Sequence, residues 1–305
     1  MERQQVRTMS LSLLSFITTR LAGTSDTPAL DASVLLAHIV GKPRTWVMAH
    51  PELTLIPAQQ NRLNESLARL ENGEPFPYVI GKWEFFGLEF EVTPDVLIPR
   101  PETELLVEKA IAWMQTSSNR KLVADVGTGS GAIAISLAVN LPHVNILATD
   151  ISRKAIQVAQ RNAKKHNVTN RIEFIECDLL PIQSSVVNTL RARCRQSSIE
   201  NRKSKIDLLC ANLPYIPTKN LRHLPIFGRE PTVALDGGED GLDLIRQLMR
   251  SAPNYLTDSS LLLLEIEATL GEQAVQLARQ MFPQANVNLH KDLTGRDRLL
   301  EIKLP

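Results

Sequence analysis

The chain has 305 residues, 43% of them hydrophobic and 22% charged, with a formal net charge of +1. That length suits one large domain plus a small one. The near-neutral balance excludes a disordered polyelectrolyte and gives no general electrostatic case for nucleic acid. The three cysteines, Cys177, Cys194 and Cys210, have neither metal-site nor disulfide spacing, so no metal is expected and a reducing cytoplasm is.

No apolar run is long enough to span a bilayer, so no membrane association is expected. Residues 1–22 hold arginines, serines and a short apolar run. With Leu11, Leu14, Thr18 and Leu21 on one helical face and Arg20 interrupting the run, they read as an amphipathic helix rather than a targeting segment. Helical character continues to about residue 72. Thr27-Pro28 reads as an N-cap with a first-turn proline, followed by an apolar stripe of Leu30, Val34, Leu35, His38 and Ile39. A short helix near Arg44 to His50 follows, then one marked by Leu63, Leu67 and Leu70 and stopped by Asn72-Gly73. Residues 1–73 are therefore expected to form a small helical domain. His38 and His50 have no partner ligands at metal-site spacing and are assigned to packing or surface.

Residues 74–95 change character. Two β-like runs, Trp83 to Phe86 and Leu88 to Val92, flank Gly87, which predicts a hairpin linker. The main domain is expected over 96–305. Pro101 suits the first turn of a helix, with Glu102 and Glu104 near its positive end and Leu105, Leu106, Ala110 and Trp113 continuing it. A helix start explains these residues but not Arg100.

From residue 122 strands and helices alternate. Strands are predicted at 122–126, 144–149, 171–176, 206–210, 260–266, 286–290 and 298–303, and helices at 130–140, 153–166, 241–251 and 271–282. The pattern predicts an α/β fold, a mostly parallel seven-stranded sheet with helices on both faces. Residues 183–205 interrupt it with Ser, Asn and six basic residues, among them Arg191, Arg202 and Lys205, against the single acid Glu200. They read as a flexible, solvated basic insertion.

Leu122 to Gly131 reads as strand, glycine turn and helix. Gly127, Thr128, Gly129, Ser130 and Gly131 form a turn whose glycines allow positive φ, close ligand approach and free N–H groups. The GxGxG spacing, with no GK[ST] after it, disfavours a P-loop and weakens the case for a dinucleotide. Asp125 precedes the turn, Asp150 ends the next strand where a carboxylate can accept ribose hydroxyls, and Asp178 follows the third. Helix capping is the competing account of each acid. Ligands of such sheets bind beyond the carboxyl ends of the strands, where all three fall.

Asn212-Leu213-Pro214-Tyr215 follows the strand ending at Cys210, over the same edge. Pro214 forbids helix there, Asn212 offers a side-chain carbonyl, and Tyr215 offers a flat face for a planar group. An amide nitrogen is a poor nucleophile because its lone pair is delocalised. Two acceptors, Asn212 Oδ1 and the Leu213 carbonyl, can hold both N–H protons and stabilise charge developing on nitrogen as it attacks an activated methyl.

These two segments resemble Class I S-adenosylmethionine-dependent methyltransferases that act on exocyclic or amide nitrogen. Ile98-Pro99-Arg100-Pro101-Glu102-Thr103-Glu104, Arg229-Glu230-Pro231 with Ala234-Leu235, and Gly237-Gly238 with Asp240-Gly241-Leu242 narrow the resemblance to the release-factor glutamine methyltransferases (PrmC/HemK), over about residues 10 to 303. The resemblance implies transfer of a methyl group from S-adenosyl-L-methionine, leaving S-adenosyl-L-homocysteine. The acceptor is the glutamine amide in the Gly-Gly-Gln motif of class I peptide chain release factors. Gly127 to Gly131 then hold the methionine part, Asp150 the ribose, and Asp178 and Leu179 flank the adenine. Asn212, Leu213, Pro214 and Tyr215 hold the glutamine. Arg100, Glu102 and Thr103 line the site, and the helical domain helps grip the release factor. Leu213 stands where the family has proline, but a backbone carbonyl survives that change. A cytoplasmic monomer that binds no nucleic acid is expected. The rivals are a DNA or RNA adenine methyltransferase using the same Asn-x-Pro-Tyr device on a flipped base, a dinucleotide-dependent oxidoreductase, and a binding protein that has lost activity.

Overall fold

The computed structural model describes residues 12–181 and 205–305. The basic insertion expected over 183–205 lies outside the described residues, apart from Lys205. The chain divides into two compact units, Met1–Gly81 and Lys82–Pro305.

The first unit carries helices Leu13–Leu21, Pro28–Val40, Arg44–Ala49, Pro57–Glu71 and Phe76–Ile80. Ile17, Leu21, Leu63, Leu67 and Leu70 are buried in its core. The face buried by the Pro28–Val40 helix is turned from the expected one. Ala32, Leu35, Leu36 and Ile39, at i, i+3, i+4 and i+7, are buried, while Leu30 is 43% exposed. Residues 74–81 also belong to this unit. Val79 and Ile80 are buried in its core, and Gly81 at φ +72° ends their helix.

The second unit opens with an antiparallel hairpin, β1 (Lys82–Phe85) and β2 (Leu88–Glu91), with Phe85 opposite Leu88. Its two turn residues, Phe86 and Gly87, both have positive φ, the backbone a two-residue hairpin turn needs. Asn162, wholly buried, pins the hairpin. Its Nδ2 donates to the Glu91 and Ser130 carbonyls (both 2.9 Å), and its Oδ1 accepts from Glu91 N (2.7 Å).

Seven strands follow: β3 (Leu122–Val126), β4 (Asn145–Asp150), β5 (Ile172–Glu176), β6 (Ile206–Ala211), β7 (Leu256–Glu265), β8 (Asn286–Lys291) and β9 (Asp297–Lys303). They form one sheet in the order β5-β4-β3-β6-β7-β9-β8, parallel except where β9 pairs with β7 and β8. Alternate residues enter two cores. Ala124, Val126, Leu209 and Ala211 pack with Leu248 and Ala278 on one side. Val123, Leu208 and Cys210 pack with Leu106, Ile135 and Leu137 on the other. The mostly parallel sheet covered on both faces is the architecture expected from the strand and helix alternation. β7 starts earlier than expected, because Leu256 pairs with Ile206 ahead of the polar run Thr257 to Ser260.

Candidate functional site

The carboxyl ends of β3, β4, β5 and β6 open onto one cavity of about 570 Å³, a size suited to a small ligand. Gly127, Thr128, Gly129 and Ser130 line it after β3. Asp150 lines it after β4, Asp178 and Leu179 after β5, and Asn212, Leu213 and Pro214 after β6. Arg100 and Thr103 line it from the Pro101 turn. Glu102, Gly131 and Tyr215 do not line it. Glu102 is exposed, Gly131 buried and Tyr215 half-buried.

The glycine turn is tied to β4 rather than left open. Gly127 N and Thr128 N both donate to the Thr149 carbonyl (2.9 and 2.8 Å), and Gly131 N donates to the Thr128 carbonyl (2.8 Å). Gly129 N donates to Asp150 Oδ2 (2.8 Å). Most N–H groups expected to be free for a ligand are therefore engaged. The three glycines stand at φ +75°, +56° and +82°. A Cβ on Gly131 would meet Ile135 Cδ1 at 2.8 Å and Ala159 Cβ at 3.1 Å, so close packing of two helices requires glycine there. A Cβ on Gly129 would meet nothing within 4 Å, so that position opens to the cavity.

The three acids divide in role. Asp125 is wholly buried and faces its own turn. Its Oδ2 accepts from Thr128 Oγ1 (2.6 Å) and Ala134 N (3.1 Å), so capping, the competing account, describes it. Burial pushes its carboxyl up to about 7. Asp150 accepts from Gly129 N and Ser152 N (2.8 Å each), one bond per oxygen, and burial raises its carboxyl above the ordinary value. A carboxylate offers about four lone-pair sites, so two remain for a ligand. Asp178 is exposed. The next residue, Leu179, takes φ +53°, and its carbonyl accepts from Thr149 Oγ1 (2.6 Å).

The Arg100 that a helix start could not explain has a partner. Its Nη2 donates to Glu230 Oε1 (2.5 Å), and the other oxygen of this buried carboxylate accepts from Ile98 N (3.0 Å). Two of the motifs singled out in the sequence, separated by 130 residues, therefore meet.

Asn212 is oriented by a neighbour. Its Nδ2 donates to Thr103 Oγ1 (2.9 Å), and Thr103 is buried. Leu213, also buried, packs on the glycine turn, since a Cβ on Gly127 would meet its Cδ2 at 3.0 Å. The Tyr215 hydroxyl donates to Glu265 Oε1 (3.4 Å).

The Gly237-Gly238 and Asp240-Gly241-Leu242 motifs form the backing of this segment. Ile216 N donates to the Leu235 carbonyl (3.1 Å), Gly237 N to the Ile216 carbonyl (2.8 Å) and Thr218 N to the Gly238 carbonyl (2.8 Å). A Cβ on Gly237 would meet Tyr215 Cα at 2.6 Å, and one on Gly241 would meet the Tyr215 carbonyl at 2.4 Å. Backbone lies on backbone at both points, and only glycine allows it.

Sequence reasoning missed Glu265 and Asn162. Glu265 is 1% exposed, and burial pushes its carboxyl up to about 7. The available signal was a carboxylate closing the apolar run Leu261 to Leu264 at the ligand edge. For Asn162 the signal was a polar residue on the apolar stripe of its helix, among Val158, Ala159 and Ala163.

Among the described residues no cluster of three or more metal-ligating side chains occurs, and no helix is long and apolar enough to cross a membrane.

Residues 12–81 match the PrmC N-terminal domain model, and residues 117–273 a methyltransferase domain model. The chain is 40% identical to a release factor glutamine methyltransferase of Moorella thermoacetica, over 91% of this chain and 92% of that one. It is 36% identical to one from Coxiella burnetii, over 93% and 95%. Among solved structures, the hMettl16 catalytic domain in complex with an RNA hairpin overlays with a TM-score of 0.51 at 13% identity, covering 81% of this chain and 83% of that one. This last likeness shows the fold alone. With relatives of this identity matched along nearly their whole length, the chain belongs to the release factor glutamine methyltransferase family.

Proposed function

We propose that this chain methylates the side-chain amide nitrogen of the glutamine in the Gly-Gly-Gln motif of class I peptide chain release factors. S-adenosyl-L-methionine is the donor and S-adenosyl-L-homocysteine the product. The observation that carries the reading is Asn212, which lines the same cavity as Gly129 and Asp150 with its amide nitrogen already turned to Thr103.

The donor set suits the cofactor. Among the described residues the cavity is lined by Asp95, Asp150, Asp178, Asp236 and Asp243 and by one arginine, Arg100; Arg100 is paired with Glu230, and Asp95 and Asp243 with Lys154 and Arg246, which leaves three aspartates to one paired arginine. Such a lining favours a ligand bearing cationic sulfur and ammonium groups. When bound, the cofactor supplies a methyl group activated by positive sulfur. Gly127, Thr128, Gly129 and Ser130 would hold its methionine part, Asp150 its ribose, and Asp178 and Leu179 its adenine. Arg100 walls the site, while Gly131 and Glu102 act from behind or beside it. Asn212 Oδ1 and the Leu213 carbonyl accept the two N–H groups of the glutamine amide. They fix the nitrogen in line and stabilise its developing positive charge until it releases a proton. Pro214 stiffens the segment, and Tyr215 and Thr103 support it. The relatives are bacterial proteins named for a protein substrate, which supports a cytoplasmic enzyme acting on a protein.

The test is methyl transfer from isotopically labelled S-adenosylmethionine to a class I release factor and, separately, to adenine-containing DNA and RNA, with the label located by mass spectrometry. Label on the Gly-Gly-Gln glutamine is expected. Label on nucleic acid alone would assign the chain to base methylation instead.

A further inference from the structure

We propose that Glu230 is a positioning residue that neutralises Arg100 in the cavity wall, so that the site holds a cationic sulfonium cofactor in preference to the thioether it becomes. The inference deepens the proposed function and rests on its reading of S-adenosyl-L-methionine as the donor.

Glu230 does not line the cavity, and its side chain is only 4% exposed. Both carboxylate oxygens are engaged. Oε1 accepts from Arg100 Nη2 (2.5 Å) and Oε2 from Ile98 N (3.0 Å). A buried carboxylate is costly unless a cation pairs with it. The Ile98 N–H needs only an oxygen, which a neutral amide would supply. Of the two partners, only the guanidinium calls for a negative charge. The carboxylate therefore serves Arg100, whose side chain is 30% exposed.

Arg100 is the one cationic side chain lining the cavity among the described residues. It also stands beside the residue proposed to orient the substrate. Thr103 N donates to the Arg100 carbonyl (3.0 Å), and Thr103 Oγ1 accepts from Asn212 Nδ2 (2.9 Å). An unpaired guanidinium there would repel a ligand that brings positive charge to Asn212. Unit charges several ångströms apart in a partly buried site change affinity by a factor of about ten or more. S-adenosyl-L-methionine carries a positive sulfur. S-adenosyl-L-homocysteine has the same adenosine, ammonium and carboxylate but a neutral sulfur. A charge in the wall thus tells the two apart, whereas contacts to the parts they share do not. With Glu230 against it, Arg100 adds no net positive charge to the wall.

Calorimetric titration of the full chain with each ligand tests this. Glu230→Gln keeps an oxygen and nearly the same shape but leaves Arg100 unpaired. It should weaken S-adenosyl-L-methionine binding about tenfold and change S-adenosyl-L-homocysteine binding by less than about threefold, so the preference between them falls. Whichever way Arg100 then turns, the wall carries one more positive charge. Adding Arg100→Gln to that variant removes the charge and should return the preference to within about twofold of the parent. A preference left unchanged by Glu230→Gln overturns the proposal, whether both affinities hold or both weaken equally. Equal weakening would make Glu230 a structural brace, or Arg100 a holder of the shared carboxylate. A preference that stays low in the double variant overturns it too. Should Glu230→Gln fail to fold, Arg100→Gln decides alone, titrated well above the ordinary carboxylate range. It leaves the Glu230 charge without its cation and should shift the preference several-fold toward S-adenosyl-L-methionine, and an unchanged preference overturns the proposal. A parent chain that binds neither ligand would instead defeat the reading of the cofactor, and the inference with it.

Discussion

The two halves of the cavity are built from different materials. On the side of β3 and β4 the wall is backbone. Three positive-φ glycines, the Thr149 carbonyl and the Asp150 carboxylate hold one another in a single turn. On the side of β6 the wall is made of side chains, Asn212 held by Thr103, backed by Gly237 and Gly241 lying against the Tyr215 backbone, with the Tyr215 hydroxyl on Glu265. The difference teaches a division of labour. On the proposed function, the backbone cradle recognises a ligand that is the same in every turnover, and the oriented side chains act on the group whose charge changes during reaction. Substitutions on the first side should therefore appear in cofactor affinity, and those on the second in turnover.

Each half contains one buried carboxyl, Asp125 or Glu265, pushed up to about 7 by burial, and each has one oxygen without a partner among the described residues. This gives the largest expected effect. The folded state keeps these protons to about pH 7, whereas the unfolded chain loses them near pH 4. Between those values the unfolded state binds fewer protons, so stability falls as pH rises. Each group contributes roughly 3 to 4 kcal/mol of loss, complete above pH 7. Denaturant unfolding from pH 4 to 8 checks this. The difference between parent and Glu265→Gln should grow in favour of the variant as pH rises, and a pH-independent difference would remove that carboxyl from the balance.

Gly237→Ala sharpens the comparison. Its Cβ must displace the Tyr215 backbone, and turnover should fall on the order of 100-fold with cofactor Kd little changed. A loss confined to cofactor affinity would break the division between the halves. Asp150→Ala is the converse. It should weaken cofactor binding by about 30-fold, roughly 2 kcal/mol, and leave turnover at saturating cofactor within a few-fold of the parent. Turnover lost at unchanged affinity would place Asp150 on the wrong side. The smallest effect is expected from Asn162→Ala, which leaves the Glu91 and Ser130 backbone groups unpaired. It should cost about 1 kcal/mol or somewhat more in urea unfolding.

Much of this organisation was legible in the sequence because it is local. The apolar runs of β3 and β4, the glycine turn between strand and helix, and the Asn212-Leu213-Pro214-Tyr215 segment are all contiguous. What stayed hidden is long-range pairing. Asn212 and Thr103 lie 109 residues apart, and Arg100 and Glu230 lie 130 apart, so periodicity could flag each member but never join them. Free N–H groups were expected at the glycine turn because the carbonyl that engages two of them belongs to the next strand. The Phe76–Ile80 helix escaped notice because five residues between prolines and a glycine are too few to show a period. The start of β7 was masked by its polar residues, of which Thr257 to Ser259 face less buried surroundings than the leucines after them.

The most direct test of the division is Asn212→Ala, assayed in single turnover on a class I release factor at saturating cofactor, with cofactor Kd measured on the same preparation. Loss of one oriented partner of the developing charge predicts a transfer rate lower on the order of 100-fold to 1,000-fold, with cofactor affinity essentially retained. An unchanged transfer rate, or a loss fully recovered by adding cofactor, would contradict the placement of the transfer chemistry at Asn212.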